Sequence, residues 1–397
     1  MHKKKKFSLF PDYSDRLIFI GSIGLALYGT IMIISAEMGE TTGNLSAISS
    51  TLLKQGIFLI IGIIGLIIFT KVRFIKLQMH YIWIGYFIVF GLLIVTRAFP
   101  AVGGAYGWIR FGGFTIQPSE FAKLYVILLA AKLFEINDPK TNKSNFIIYC
   151  ICALAYVGIV FVIENDLGSA VVIGGIAYVC ALIPPYKELR KYQNWMIILI
   201  LAGVIGAVIL LSSFGTKLLS NFGNSYKIKR FLASADPFAY QYDSGYHLVM
   251  SLVSFATGGL FGLGYGKSIH KFMNFPNPST DFILPVIIEE MGVVFGLVPI
   301  LILYGFIIFP LAFHCFKCDY ARGKIVMIGA FMYFILHFIL NVGGVSGLIP
   351  LTGVPLLLVS SGRTALISCL ATLGLAEGEI INYRKRKYLN RNENNSG

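Results

Sequence analysis

The chain has 397 residues, 56% of them hydrophobic and 13% charged, with a mean hydropathy of +0.75. Soluble domains carry roughly 25% charged residues, and a single hydrophobic core stops growing near about 250–300 residues, so this composition excludes a water-soluble globular protein. The net charge of +14 suggests nucleic acid only until its placement is read.

Apolar blocks near the roughly 20 residues that a helix needs to cross the hydrocarbon follow one another along the chain. They lie at 16–36, 54–72, 79–97, 118–136, 146–164, 168–185, 195–213, 283–313, 324–342 and 353–381. The expected fold is therefore an all-α polytopic membrane protein with about ten transmembrane helices, a single domain over 1–397. The first block is too long for the apolar region of a signal peptide and reads as a signal anchor, with no cleavable leader expected. The eighth contains Pro299, which predicts a tilt or kink. Gly and Pro interrupt the ninth and tenth, so their ends are soft.

Lys and Arg concentrate in alternate short connections: Lys3–Lys6, Lys71/Arg73/Lys76, Lys140/Lys143, Lys187/Arg190/Lys191, Lys317/Arg322/Lys324 and the tail Arg384–Lys387. The intervening stretches 37–53 and 342–352 contain none. This pattern predicts both termini, including the tail 383–397, in the cytoplasm, and assigns the basic charge to topology and anionic lipid rather than nucleic acid. Among the six cysteines, Cys315 and Cys318 form one C-x-x-C without a second pair, which argues against zinc. The six histidines are scattered and read as packing or interface residues.

One connection is far longer than the rest. Residues 214–282, between the seventh and eighth spans, fall outside the cell by the loop count, and a loop of this length is functional or disordered. Its composition predicts order: an amphipathic stretch, Tyr246–Gly258, then the Gly-rich run Gly258–Gly266. That run follows no strand and opens no βαβ unit, so it is not a dinucleotide fingerprint. A second outer connection, 98–117, carries Gly103, Gly104, Trp108, Arg110, Gly112 and Gly113.

Charges at membrane depth cost roughly 2.5–3.5 kcal/mol each and usually face a cavity or a partner. Glu120 and Lys123 share one face of the fourth span, as an ion pair or a cavity wall. Glu164 and Asp166 sit at the turn before the sixth span, where Asp166 could be an N-cap. Glu289 and Glu290 follow in the eighth, one of them a candidate partner for Lys123 or Arg363, and Arg363 interrupts the tenth. Asp281 stands where the long loop meets the eighth span. Ser279 and Thr280 could cap that helix instead, which leaves Asp281 for another task. Partial desolvation there would raise its pKa toward a range useful to a general base. Arg110, Arg230, Lys267 and Lys271 in the two outer loops are candidates to hold a phosphate or pyrophosphate.

These residues resemble a known family. The run GWIRFGGFTIQPSEFAK (Gly107–Lys123) resembles the pattern RWI..G..(I/L)QPSE.AKL. DLGSA from Asp166 resembles PDLGTA. GLGYGKS from Gly262, TDFI from Thr280 and EEMG from Glu289 resemble GxGxGxS, TDFIF and EELG, and IPLTGVP from Ile349 resembles LPxTGxPLPF. Six motifs in order over nearly the whole chain are similar to the SEDS family (shape, elongation, division and sporulation), which includes RodA and FtsW. The GxGxGxS form is nearer the division and sporulation branch, that of FtsW.

The resemblance implies a peptidoglycan glycosyltransferase with ten spans in the bacterial plasma membrane. It would polymerise lipid II, the lipid-linked disaccharide-peptide, at the outer face. It would extend a glycan on undecaprenyl pyrophosphate. It would work with a class B penicillin-binding protein, a crosslinking transpeptidase, among divisome or elongation proteins. The family's essential aspartate falls on Asp281, its QPSE.AK glutamate and lysine on Glu120 and Lys123, and its PDLG aspartate on Asp166. A divalent cation, Mg or Mn, is a candidate cofactor with no metal ligands assigned. Glu289 and Glu290 join the candidate cavity residues. Departures are ENDLG for QPDLG, Asn277 where LPE has its carboxylate, His247 for the glutamine of GYQ, and SSGRTA with Arg363 for SYGGSS. A flippase for lipid II and a non-catalytic scaffold for the transpeptidase remain the alternatives.

Overall fold

The computed structural model describes residues 13–40, 44–71, 78–111, 114–212, 215, 226–273, 275 and 277–396. In chain order the helices are α1 (Arg16–Glu40), α2 (Leu45–Lys71), α3 (Met79–Val95), α4 (Pro118–Leu133), α5 (Asn142–Val162), α6 (Leu167–Leu182) and α7 (Arg190–Leu211). There follow α8 (Tyr226–Ala235), α9 (Tyr246–Gly258), α10 (Ile283–Gly292), α11 (Val298–Lys317), α12 (Ala321–Val345) and α13 (Arg363–Ser396). A two-stranded antiparallel hairpin, β1 (Ile109–Phe111) and β2 (Phe114–Ile116), precedes α4, with Arg110 opposite Thr115.

Eight of these segments are long and apolar enough to cross a membrane, with α10 and α11 joined into one of 35 residues. Their outward faces are apolar: Ile57, Ile60, Ile64, Ile68 on α2 and Leu199, Leu201, Val204, Ile205 on α7 are all exposed. In water such a surface would far exceed the patches a soluble monomer tolerates; against lipid tails it costs nothing. The chain is a multi-pass membrane protein. The fourth and sixth expected spans, α4 and α6, are only 16 residues each.

The eighth span shows what Pro299 does. The helix widens into a π turn at Val293–Leu297 just before it. Proline offers no N–H to the carbonyl four residues back. That carbonyl, on Phe295, accepts instead from the Tyr28 hydroxyl of α1 at 3.0 Å. The tenth span departs from expectation at its start. The helix begins at Arg363, and residues 353–362 are a mostly buried non-helical segment. Pro355 and the two glycines Gly353 and Gly362 interrupt the helical pattern there. The expected tail 383–397 continues α13 as helix as far as Ser396.

The short α4 occupies the middle of the bundle, packed by α3, α6, α12 and α13. Thirteen of its 16 residues are buried, so its polar side chains meet protein rather than lipid. Pro118 at its first turn fixes where it begins. α13 lies along α2, with Gly374 against the Leu66 carbonyl.

Candidate active site

Three groups of residues build the candidate site. The first is the buried pair on α4. Lys123 Nζ donates to Glu120 Oε1 at 2.6 Å, both residues 1% exposed. The Tyr333 hydroxyl donates to Glu120 Oε2 at 2.6 Å, and Lys123 Nζ also reaches His337 Nε2 at 3.1 Å. His337 faces the Pro355 carbonyl with Nδ1 at 3.0 Å. A carbonyl only accepts, so Nδ1 carries the proton and Nε2 accepts from the ammonium.

The second group surrounds Asp166. Its Oδ1 accepts from the Ser169 amide at 3.0 Å and caps α6, as the N-cap reading expects. Oδ2 accepts from Gln117 Nε2 at 3.3 Å. Beside it Glu164 is fully buried, with Oε1 accepting from Thr96 at 3.3 Å and Oε2 without a hydrogen-bond partner. Burial pushes the Glu164 carboxyl up to about 8, and the neighbouring Asp166 charge adds to the rise. The second strand of the hairpin is tied to α13: Thr364 at the start of that helix accepts from the Gln117 amide at 3.2 Å and donates to the Thr115 carbonyl at 3.3 Å.

The third is Asp281 itself, half-buried at the end of the long connection. Phe282 is the N-cap of α10 and no side chain caps that helix. Asn341 on α12 donates to the Asp281 carbonyl and the Val354 carbonyl, both at 2.8 Å. Ser360 donates to the Thr280 carbonyl at 2.8 Å and accepts from the Leu356 amide at 2.9 Å. The segment 352–361 is thus pinned against the residues flanking Asp281.

Thr352 and Gly353 run between Asp166 and Asp281. A Cβ on Gly168 would sit 2.6 Å from the Thr352 carbonyl, and one on Gly353 would sit 3.5 Å from Asp281 Oδ2. Gly353 has φ +70°, a conformation that side-chain-bearing residues resist. The approach of the Thr352 carbonyl to the start of α6 therefore needs glycine at 168, while glycine at 353 is favoured by the positive φ of the backbone beside Asp281.

Other expected site residues fall elsewhere. Glu289, Glu290 and Lys271 form a second cluster, and neither glutamate pairs with Lys123 or Arg363. Lys271 Nζ is buried and bonded to Glu290 at 2.7 Å and Ser35 at 2.8 Å. Glu290 also accepts from the Gly266 amide at 3.0 Å. Glu289 accepts from Ser268 at 2.5 Å and from His270 Nδ1 at 2.7 Å. These bonds hold the Gly-rich loop onto α10, so Lys271 is an anchor of the loop. Arg110 and Lys267 are exposed, on the hairpin and in the Gly-rich loop, and Arg363 is half-buried at the start of α13. Arg230 belongs to α8 and its side chain lies outside the described residues.

Three residues were passed over by sequence reasoning. Tyr333, His337 and Asn341 stand at positions i, i+4 and i+8 of α12, one helix face, and reach Glu120, Lys123 with Pro355, and Asp281 with Val354 in turn. A polar residue every four positions in an apolar helix is the signal that could have found them. Among the described residues no three His, Cys, Asp or Glu side chains gather into a metal-holding group.

Fold and site define a multi-pass membrane protein with acidic and basic side chains buried among its helices. The family model FTSW_RODA_SPOVE, described as cell cycle protein, matches residues 15–384, and the chain belongs to that family. It is 30% identical to the probable peptidoglycan glycosyltransferase FtsW of Bacillus subtilis, over 94% of this chain and 91% of the relative. It is 29% identical to stage V sporulation protein E of the same organism, over 91% and 95%. A chain of a peptidoglycan synthase complex, solved for its structural coordination of polymerization and crosslinking, has a similar fold. Its TM-score is 0.67 at 22% identity, over 94% of this chain and 98% of that one. The rod shape determining protein RodA of Thermus thermophilus superimposes with a TM-score of 0.58 at 21% identity, over 96% and 99%.

Proposed function

We infer that this chain is a peptidoglycan glycosyltransferase that polymerises lipid II, with Asp281 as general base. The observation that carries the reading is the placement of Asp281. Its carboxylate sits at a loop–helix junction whose backbone is pinned by Asn341 and Ser360, and Thr352–Gly353 runs between it and Asp166. Family membership supports the reaction class, since the B. subtilis relative is a probable peptidoglycan glycosyltransferase.

In the proposed reaction Asp281 takes the proton of the acceptor sugar hydroxyl as its oxygen attacks the anomeric carbon of the donor. The glycosidic bond forms, the bond to the lipid pyrophosphate breaks, and the configuration inverts. Charge on the departing pyrophosphate would be met by a cation, a role that exposed Arg110 and Lys267 and half-buried Arg363 leave open and that burial denies to Lys271. Mg or Mn would bind with the pyrophosphate and add to that charge stabilisation. Glu120 and Lys123 form the floor of the site.

For topology we propose ten spans, the eight long helices with α4 and α6. Both termini would lie in the cytoplasm, with 214–282 on the outer face. The Lys and Arg pattern supports that orientation. A chain of similar fold occurs in a complex that coordinates polymerization with crosslinking, which supports a class B penicillin-binding protein as partner.

The test is reconstitution in liposomes with fluorescent lipid II, with and without Mg or Mn. Wild type should yield polymer and Asp281→Asn none. Translocation of lipid II without polymer would replace the enzyme reading by the flippase. Full activity of Asp281→Asn would remove the base assignment alone.

A further inference from the structure

We propose that His337 is a positioning residue that ties the buried Glu120–Lys123 pair to the segment lying against Asp281. The proposal rests on the glycosyltransferase reading above and deepens it. His337 is fully buried, and both ring nitrogens are used. Nε2 meets Lys123 Nζ at 3.1 Å and Nδ1 meets the Pro355 carbonyl at 3.0 Å. Pro355 lies two residues beyond Gly353, whose added Cβ would touch Asp281 Oδ2 at 3.5 Å. One turn along α12, Asn341 binds the Asp281 and Val354 carbonyls. One turn the other way, Tyr333 binds Glu120.

One rigid helix face therefore holds the charged pair, the 354–355 backbone and the Asp281 backbone at three successive turns. The middle contact has a direction. The imidazole accepts from an ammonium on one side and donates to a carbonyl on the other, so it fits while Lys123 is charged and His337 is neutral. If Lys123 moves or loses Glu120, the ring loses its donor and the 354–355 carbonyls lose a fixed reference. Misplacing a catalytic group by about 1 Å can cost roughly 100-fold in rate, so this register acts on turnover rather than on substrate capture.

The experiment compares wild type, His337→Leu, His337→Gln and Asp281→Asn in proteoliposomes with fluorescent lipid II, alongside hydrogen exchange of the same proteins. His337→Leu should lower kcat on the order of 10- to 100-fold with KM changed by less than about threefold. Exchange should quicken in peptides covering 352–361 and stay unchanged in those covering 259–273. His337→Gln should recover most of both, since its amide can donate to Pro355 and accept from Lys123. Wild-type kcat and wild-type exchange in His337→Leu would overturn the proposal. So would faster exchange across the whole map without recovery by glutamine, the mark of a merely structural residue. Asp281→Asn separates the two readings. If it polymerises normally, the base assignment fails, and the exchange pattern still decides whether His337 holds the segment.

Discussion

Replacing Lys123 by Met leaves the Glu120 carboxylate 1% exposed with Tyr333 as its remaining side-chain donor. At 2.6 Å and an effective dielectric constant of about 20, the lost attraction is about 6 kcal/mol, much of which offsets the desolvation of the two charges. Breaking a buried pair by removing one partner costs about 3–5 kcal/mol, because the other charge is left uncompensated. Removing both is far milder. The variant Glu120→Gln with Lys123→Met should therefore be more stable than Lys123→Met alone, and the two single losses should be non-additive by roughly 2–3 kcal/mol. The assay is unfolding of the detergent-solubilised protein by titrated sodium dodecyl sulfate, followed by circular dichroism, across the full cycle. A loss under about 1 kcal/mol for Lys123→Met, the range of an exposed pair, or additive singles, would refute the buried-pair argument.

Glu164 gives a pH prediction. Its folded-state carboxyl is held near 8 against an ordinary 4.5, so its charge opposes the fold. Stability should fall as pH rises from 4.5 to about 8 and level off above. The amplitude is up to about 4–5 kcal/mol. Glu164→Gln should remove that slope, read from unfolding temperatures at pH 5 and pH 8.5. Gly353→Ala forces a side chain into φ +70° beside Asp281. A strain of about 1–2 kcal/mol should appear chiefly as lower turnover in the polymerisation assay. Lys271→Met removes the ammonium bonded to buried Glu290 and should free the Gly-rich loop. Limited proteolysis of that loop should speed up, on the order of tenfold or more, while cleavage elsewhere stays unchanged.

Eight spans were legible because a helix in lipid must be apolar along its whole length, and such blocks need no tertiary information. The start of α13 was not legible. Val354 and Leu356–Val359 read as apolar helix, but their place is set by Asn341 and Ser360. The capping role of Asp166 was readable because its partner Ser169 is three residues away. The fate of Glu290 was not: Lys271 lies in a loop 19 residues earlier, and only the folded Gly-rich segment brings it back. His337 looked like an isolated packing residue for the same reason. Its ammonium partner is 214 positions away.

α7 is bound to the bundle mainly at one end. Gln193 donates to the carbonyls of Ala181, Leu182 and Pro184, while Ile197–Leu210 present almost nothing but exposed side chains. With so little protein to set its tilt, the acyl chains around it do so, at a fraction of a kcal/mol per Å of mismatch. The connection toward Asp281 follows α7 in the sequence, so a change in bilayer thickness is expected to reach the site through it. The enzyme's turnover should respond to the length of the lipid tails in which it is reconstituted, in the absence of any bound effector.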